Sequence, residues 1–120
     1  TISMQLKEIQ KIQKSFDKEY FKKFWEIGDE KTFIERLQYL TVALTGEIGE
    51  YANIIKKISR DFENLNDYIS DERKQALIEE LVDCFIYIII TANLLGVDLE
   101  EEYIKKLEKN KKRFEKYKDG

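Results

Sequence analysis

The chain contains no histidine. That absence removes imidazole general bases, Ser-His triads, Zn-His sites and the Glu-x-x-His di-iron pattern of ferritin-like bundles. Cysteine occurs once, as Cys84, which excludes an intrachain disulfide and a cysteine-clustered zinc site. Cys84 opens the apolar run 84–90, where a small buried hydrophobe is expected and not a nucleophile. That run is the longest apolar stretch and is too short to span a bilayer, so no membrane partner is expected. The sequence also starts polar, without the apolar core of a signal peptide, and the cytoplasm is the expected location. Positive charge is not in excess. Twenty-one bases stand against 24 acids, and the net charge of −3 argues against direct nucleic-acid binding. Proline is missing as well, in a Lys-, Glu- and Ile-rich composition common to low-GC and heat-adapted sources.

What is present describes a folded helical protein. A hydrophobic content of 42% supports a core despite 38% charged residues, and 120 residues bound one domain, 1–120, with a modest core. Ile2, Leu6, Ile9, Ile12, Phe16, Tyr20 and Phe24 step by three and four, which predicts a first helix ended by Gly28-Asp29. Asp29 or Thr32 is positioned to cap a second helix with the stripe Phe33, Leu37, Leu40, Leu44, Ile48, Tyr51, Ile55 and Ile58. Glu47 and Glu50 flank that stripe. Periodicity fades over 59–69, where Asp, Asn and Ser collect, and a loop is expected there. Ser70 caps a third helix, with Asp71 and Glu72 favourable in its first turn. After Asp83 this helix is apolar nearly all round, as suits the middle of a bundle or a subunit interface. Gly96 stops it. Asp98-Leu-Glu-Glu101 is a capping-box pattern for a fourth helix carrying Leu99, Tyr103, Leu107, Phe114 and Tyr117. The fold class expected is all-α, a four-helix bundle-like arrangement.

Two acidic motifs stand out, Glu47-Ile-Gly-Glu50 and Glu80-Leu-Val-Asp83. Within each, the acids are three residues apart and share a helix face. Two such faces brought together place four carboxylates around one point. Near a core they repel one another and are costly to desolvate, unless a hard cation such as Mg²⁺ is held between them. The alternative is ordinary surface pairing with Lys56, Lys57 and Arg73. Other residues break the pattern. Asn110 stands where the fourth helix wants a hydrophobe, and it shares a face with Lys106 and Arg113. A cation, an amide and a guanidinium in a row suit a polyphosphate, or form a solvated surface. Tyr87 lies one turn after Asp83, either in the core or with its hydroxyl toward a ligand. Trp25 is the sole tryptophan, either packing beside Phe21 and Phe24 or stacking on a base.

These motifs resemble those of the MazG-type, all-α nucleoside triphosphate pyrophosphohydrolases. The resemblance rests on Ala43-Leu-Thr-Gly-Glu-Ile-Gly-Glu50, on Glu79-Glu-Leu-Val-Asp83, and on a Lys-x-x-x-Asn-x-x-Arg-aromatic ending at Lys106, Asn110, Arg113 and Phe114. Tyr87 matches a tyrosine of the branch that resembles dCTP pyrophosphatase. The first helix, with Gln13, Phe16 and Trp25, is similar only loosely. The chain departs from many relatives at Gly46 and Asn53, where they carry acids.

The resemblance implies hydrolysis of a (d)NTP to the monophosphate and pyrophosphate, for pool control or sanitation. It implies Mg²⁺, with Mn²⁺ able to substitute, on Glu47, Glu50, Glu80 and Asp83, and Glu47 and Glu50 as catalytic carboxylates. Tyr87, Lys106, Asn110, Arg113, Trp25 and Gln13 are the implied substrate contacts, and a homodimer or homotetramer is the implied assembly. A related phosphoribosyl-ATP pyrophosphohydrolase and a non-catalytic helical interaction module are the rival readings.

Overall fold

The computed structural model describes residues 3–119. Its α-helices are α1 (Leu6–Tyr20), α2 (Glu30–Leu65), α3 (Asp71–Leu95) and α4 (Leu99–Arg113), with short 3₁₀ turns at Lys22–Trp25 and Glu115–Tyr117. No strand occurs among the described residues. The fold is all-α, as the periodicity predicts.

The helix boundaries follow local chemistry. Asp29 caps α2 by accepting the Thr32 amide at 2.7 Å, and Ser70 caps α3 by accepting the Arg73 amide at 3.2 Å. Asp98 caps α4 by accepting from the amides of Glu100 and Glu101. Gly96 closes α3 at φ 70°, a left-handed conformation that costs glycine little.

Two expected boundaries moved. The stretch 59–69 is not a loop, because α2 continues to Leu65 and ends on Asn66 at φ 54°. Phe62 and Leu65 prolong the apolar spacing through the polar run, and the Asn64 amide donates back to the Arg60 carbonyl. Asp61 then joins Arg73 on α3 at 2.8 Å, which ties the α2–α3 hairpin at its turn. The interval between the acidic motifs is therefore mostly helix, with a linker of only 66–70. At the other end, α1 stops at Tyr20, short of the expected end near Gly28, and Ile2 lies outside the described residues. The chain tightens into the 3₁₀ turn, and Arg36 of α2 fixes it. The Arg36 Nε donates to the Phe24 carbonyl at 2.7 Å, and its guanidinium lies 5.3 Å from the Phe24 ring centre.

The long pair α2–α3 is the frame, and α1 packs on α3 beside it. Leu40 and Ile89 are the most buried apolar residues, 2% and 1% exposed. A polar clasp holds α1 in place. Gln10, 8% exposed, donates to Asn93 Oδ1 and the Val97 carbonyl and accepts the Leu99 amide, while Asn93 donates to the Gln10 carbonyl. Every hydrogen-bonding end of the Gln10 side chain is thus engaged by the α3–α4 turn. Beyond that turn α4 departs at 101° to α3 and touches chiefly α1.

Much apolar surface stays open. Val42, Ile48, Ile55, Leu81, Phe85 and Ile88 on the α2–α3 frame are all exposed. The radius of gyration is 18.5 Å, against roughly 13–14 Å for a compact chain of this length. No single described helix is long and apolar enough to cross a membrane.

Candidate active site

Glu47 lies on the face of α2 that meets α3, not at the flank of the stripe. It is half-buried in register with Leu40, Leu44 and Tyr51. Glu80 and Asp83 answer it from α3. Carboxylate oxygens of Glu47, Glu80 and Asp83 lie within 4.8 Å of one another. Glu47 Oε2 and Glu80 Oε2 are fully buried and have no hydrogen-bond partner. Glu50, one turn along α2, is exposed but reaches the Glu80 carboxyl.

Such crowding is unfavourable for anions. The Glu80 carboxyl is pushed up to about 7 from 4.5, first by the Glu47 carboxyl beside it, then by desolvation, then by Glu50. Orphaned acceptors with no cation among their neighbours are the chemistry of a hard divalent ion site. The residues present therefore fit such an ion, with Glu47, Glu80 and Asp83 as the core of the donor set and Glu50 beside them.

Against this cluster opens a cavity of about 400 Å³ whose wall includes Glu47 and Asp83. Its size is within the usual range for small-molecule sites. Tyr87, Ile86 and Ile90 of α3 and Tyr39 and Leu40 of α2 line one side. Gln13, Phe16 and Asp17 of α1, with Phe21, Phe24 and Trp25 around the 3₁₀ turn, line the other. Burial raises the Tyr87 hydroxyl above its usual value. Cys84 is half-buried near the acids, and desolvation followed by those charges pushes its thiol up.

Of the expected site residues, Glu47, Asp83, Tyr87, Trp25 and Gln13 share this cavity, with Glu80 and Glu50 adjoining through the acid cluster. Lys106, Asn110 and Arg113 are not brought to it within one chain. They stand on α4, none of whose residues lines the wall. The sequence reading missed Asp17. It is 3% exposed and accepts a hydrogen bond from Gln13 Nε2 at 2.9 Å. Its spacing of four from Gln13 was the available signal. Arg36, which sets the aromatic turn, had no such signal, since only the fold shows the carbonyls it meets.

An acidic cluster with orphaned oxygens on an all-helical frame, opening into an aromatic cavity, is a site fit for a divalent cation beside a flat ligand. The comparisons are more definite. A family model described as the MazG nucleotide pyrophosphohydrolase domain matches residues 35–117, and the chain belongs to that family. It is 40% identical over 83 residues to the Gene 37 protein of Mycobacterium phage L5, covering 67% of this chain and 70% of that protein. It is 37% identical over 115 residues to YvdC of Bacillus subtilis (strain 168), covering 93% of this chain and 98% of that one. It is 36% identical over 75 residues to dCTP pyrophosphatase 1 of Mus musculus, covering 62% of this chain and 44% of that protein.

Proposed function

We propose that the protein hydrolyses a (deoxy)nucleoside triphosphate to the monophosphate and pyrophosphate, with Mg²⁺ as cofactor and Mn²⁺ able to replace it. The observation that carries this reading is the pair of buried, unpartnered oxygens on Glu47 and Glu80, set beside a cavity of base size. Family membership and the likeness to a dCTP pyrophosphatase support the same chemistry.

Glu47, Glu80 and Asp83 would hold the ion, with Glu50 at its open side. A divalent cation supplies neutralisation of phosphate charge and acidification of water. The aromatic wall seats the base and so fixes the triphosphate against the acids. Glu50, the most exposed of the four, takes the proton of the attacking water. That water forms a bond to the α-phosphorus, the bond to the bridging oxygen breaks, and pyrophosphate departs. Lys106, Asn110 and Arg113 are assigned to the leaving phosphates, reached by α4 of a second copy or by closure on substrate.

The working form is a homodimer or homotetramer within the cytoplasm. The open apolar residues of α2 and α3 support assembly, because a monomer would leave them in water. The test is a panel of canonical and modified (d)NTPs with Mg²⁺, reading both monophosphate and pyrophosphate. The expected result is equimolar monophosphate and pyrophosphate that vanishes with chelator. Orthophosphate alone, or no product from any triphosphate, would overturn it.

A further inference from the structure

The aromatic cavity holds two polar groups that the proposed hydrolysis does not use. Asp17 Oδ2 is a buried acceptor without a partner, and Trp25 Nε1 is a buried donor without one. Both residues line the cavity. A buried acceptor left unmade costs roughly 1–3 kcal/mol, so a site retaining one is suited to a ligand that completes it. We propose that Asp17 is the specificity-determining residue of this site, and that its Oδ2 accepts an N–H from the exocyclic amino group of the bound base.

The geometry is directional. Gln13 Nε2 donates to Oδ1 at 2.9 Å and thereby commits that oxygen, so Oδ2 is the atom left for the ligand. The ring walls of Phe21, Phe24 and Trp25 admit a flat heterocycle by stacking, which every base satisfies equally. Discrimination falls to the polar edge. A base with an amino group at that edge donates to Oδ2. A base with a carbonyl there sets oxygen against oxygen with no proton between, in a place closed to water. Desolvation raises the Asp17 carboxyl, and the Gln13 N–H opposes that rise; an amino donor opposes it further. The inference deepens the proposed function and rests on the cavity being its base site.

The test uses isosteric amino/oxo pairs, dCMP against dUMP and dAMP against dIMP, at about pH 8, where carboxyls are ionised. Trp25 is the sole tryptophan and lies in the wall, so its fluorescence reports occupancy without turnover. Wild-type protein should bind the amino member of a pair by roughly tenfold or more, the range set by one buried hydrogen bond. Asp17→Asn keeps the shape. Because Gln13 still requires an acceptor at the Oδ1 position, the amide nitrogen takes the Oδ2 position and the preference should invert. Equal binding of both members by the wild type, no fluorescence response to any of them, or an unchanged ratio in a folded Asp17→Asn variant would each overturn the inference. The wild-type comparison decides alone if the variant does not fold by circular dichroism. Triphosphate hydrolysis with no amino/oxo discrimination would sink this inference and leave the proposed function standing. Discrimination in binding without pyrophosphate release would do the reverse.

Discussion

The acidic end of the cavity and its aromatic end are held by different means. Glu47, Glu80 and Asp83 stand on two long helices packed along each other and tied at the turn by Asp61 and Arg73. Their positions follow from helical repeat alone. Asp17 and the rings of Phe21, Phe24 and Trp25 stand on a short helix and one 3₁₀ turn. Their placement depends on a few long-range polar contacts, from Arg36 at one end of α1 and from Asn93 and the α3–α4 turn at the other. A carboxylate cluster tolerates little displacement, and rigid elements suit it. A stacking wall works over a wider range of positions, and a pinned turn is enough.

If the two ends divide labour in this way, changes at each should have different kinetic signatures. The largest effect is expected for Glu47→Gln or Glu80→Gln, which should lower kcat by roughly a hundredfold or more, since a bound cation contributes several kcal/mol. Pyrophosphate release at saturating substrate measures it, and loss in KM alone would erase the distinction. Next is Trp25→Ala. It should raise KM by roughly 5- to 100-fold with kcat little changed, because one base–aromatic stack is worth roughly 1–3 kcal/mol. Equal losses in kcat and KM would mean that the turn also shapes the acidic end. Arg113→Ala should cost about tenfold in kcat/KM if α4 meets the phosphates, as a charge-assisted bond contributes roughly 1.5–3 kcal/mol. Lys118→Ala is its control and should change nothing; matched effects would reduce α4 to diffuse charge.

The smallest effect is a pH dependence centred on the acidic end. Between 4.5 and about 7 the folded chain keeps a proton on Glu80 that the unfolded chain has lost. Stability without metal should therefore fall as pH rises through that window. Thermal midpoints in chelator should decline across it, and Mg²⁺ should restore them above pH 7. Asp17, also raised, adds in the same direction. Glu80→Gln should flatten most of the slope, and an unaltered slope would place its origin elsewhere.

What the sequence disclosed divides along the same line. The doubled i, i+3 acids were legible because a helix face is a local property, and so were the caps at Asp29, Ser70 and Asp98. The end of α2 was not, because Asp61 and Asn64 resemble loop residues until Arg73 and the Arg60 carbonyl are brought to them. The end of α1 was hidden for a related reason. The apolar spacing runs on to Phe24 without a break, and only Arg36, far along the chain, reveals where the backbone turns. Asp17 stands among lysines in the sequence and drew no reading there. Its burial is a tertiary fact with no trace in composition.

The clasp at Gln10 has a bearing on how such a protein changes over generations. It joins α1 to the rest through the side chains of one glutamine and one asparagine and three backbone groups. The family model begins at residue 35, after α1 and the aromatic turn. On the proposed reading, much of the recognising wall and the acidic cluster are thus different lengths of chain, although Tyr39, Leu40 and Tyr87 also line the cavity. Residues before 35 keep this attachment so long as Gln10 meets Asn93 and the Phe24 carbonyl meets Arg36. Under the proposed function, a new first helix would change which base is admitted and leave the acidic cluster as it was.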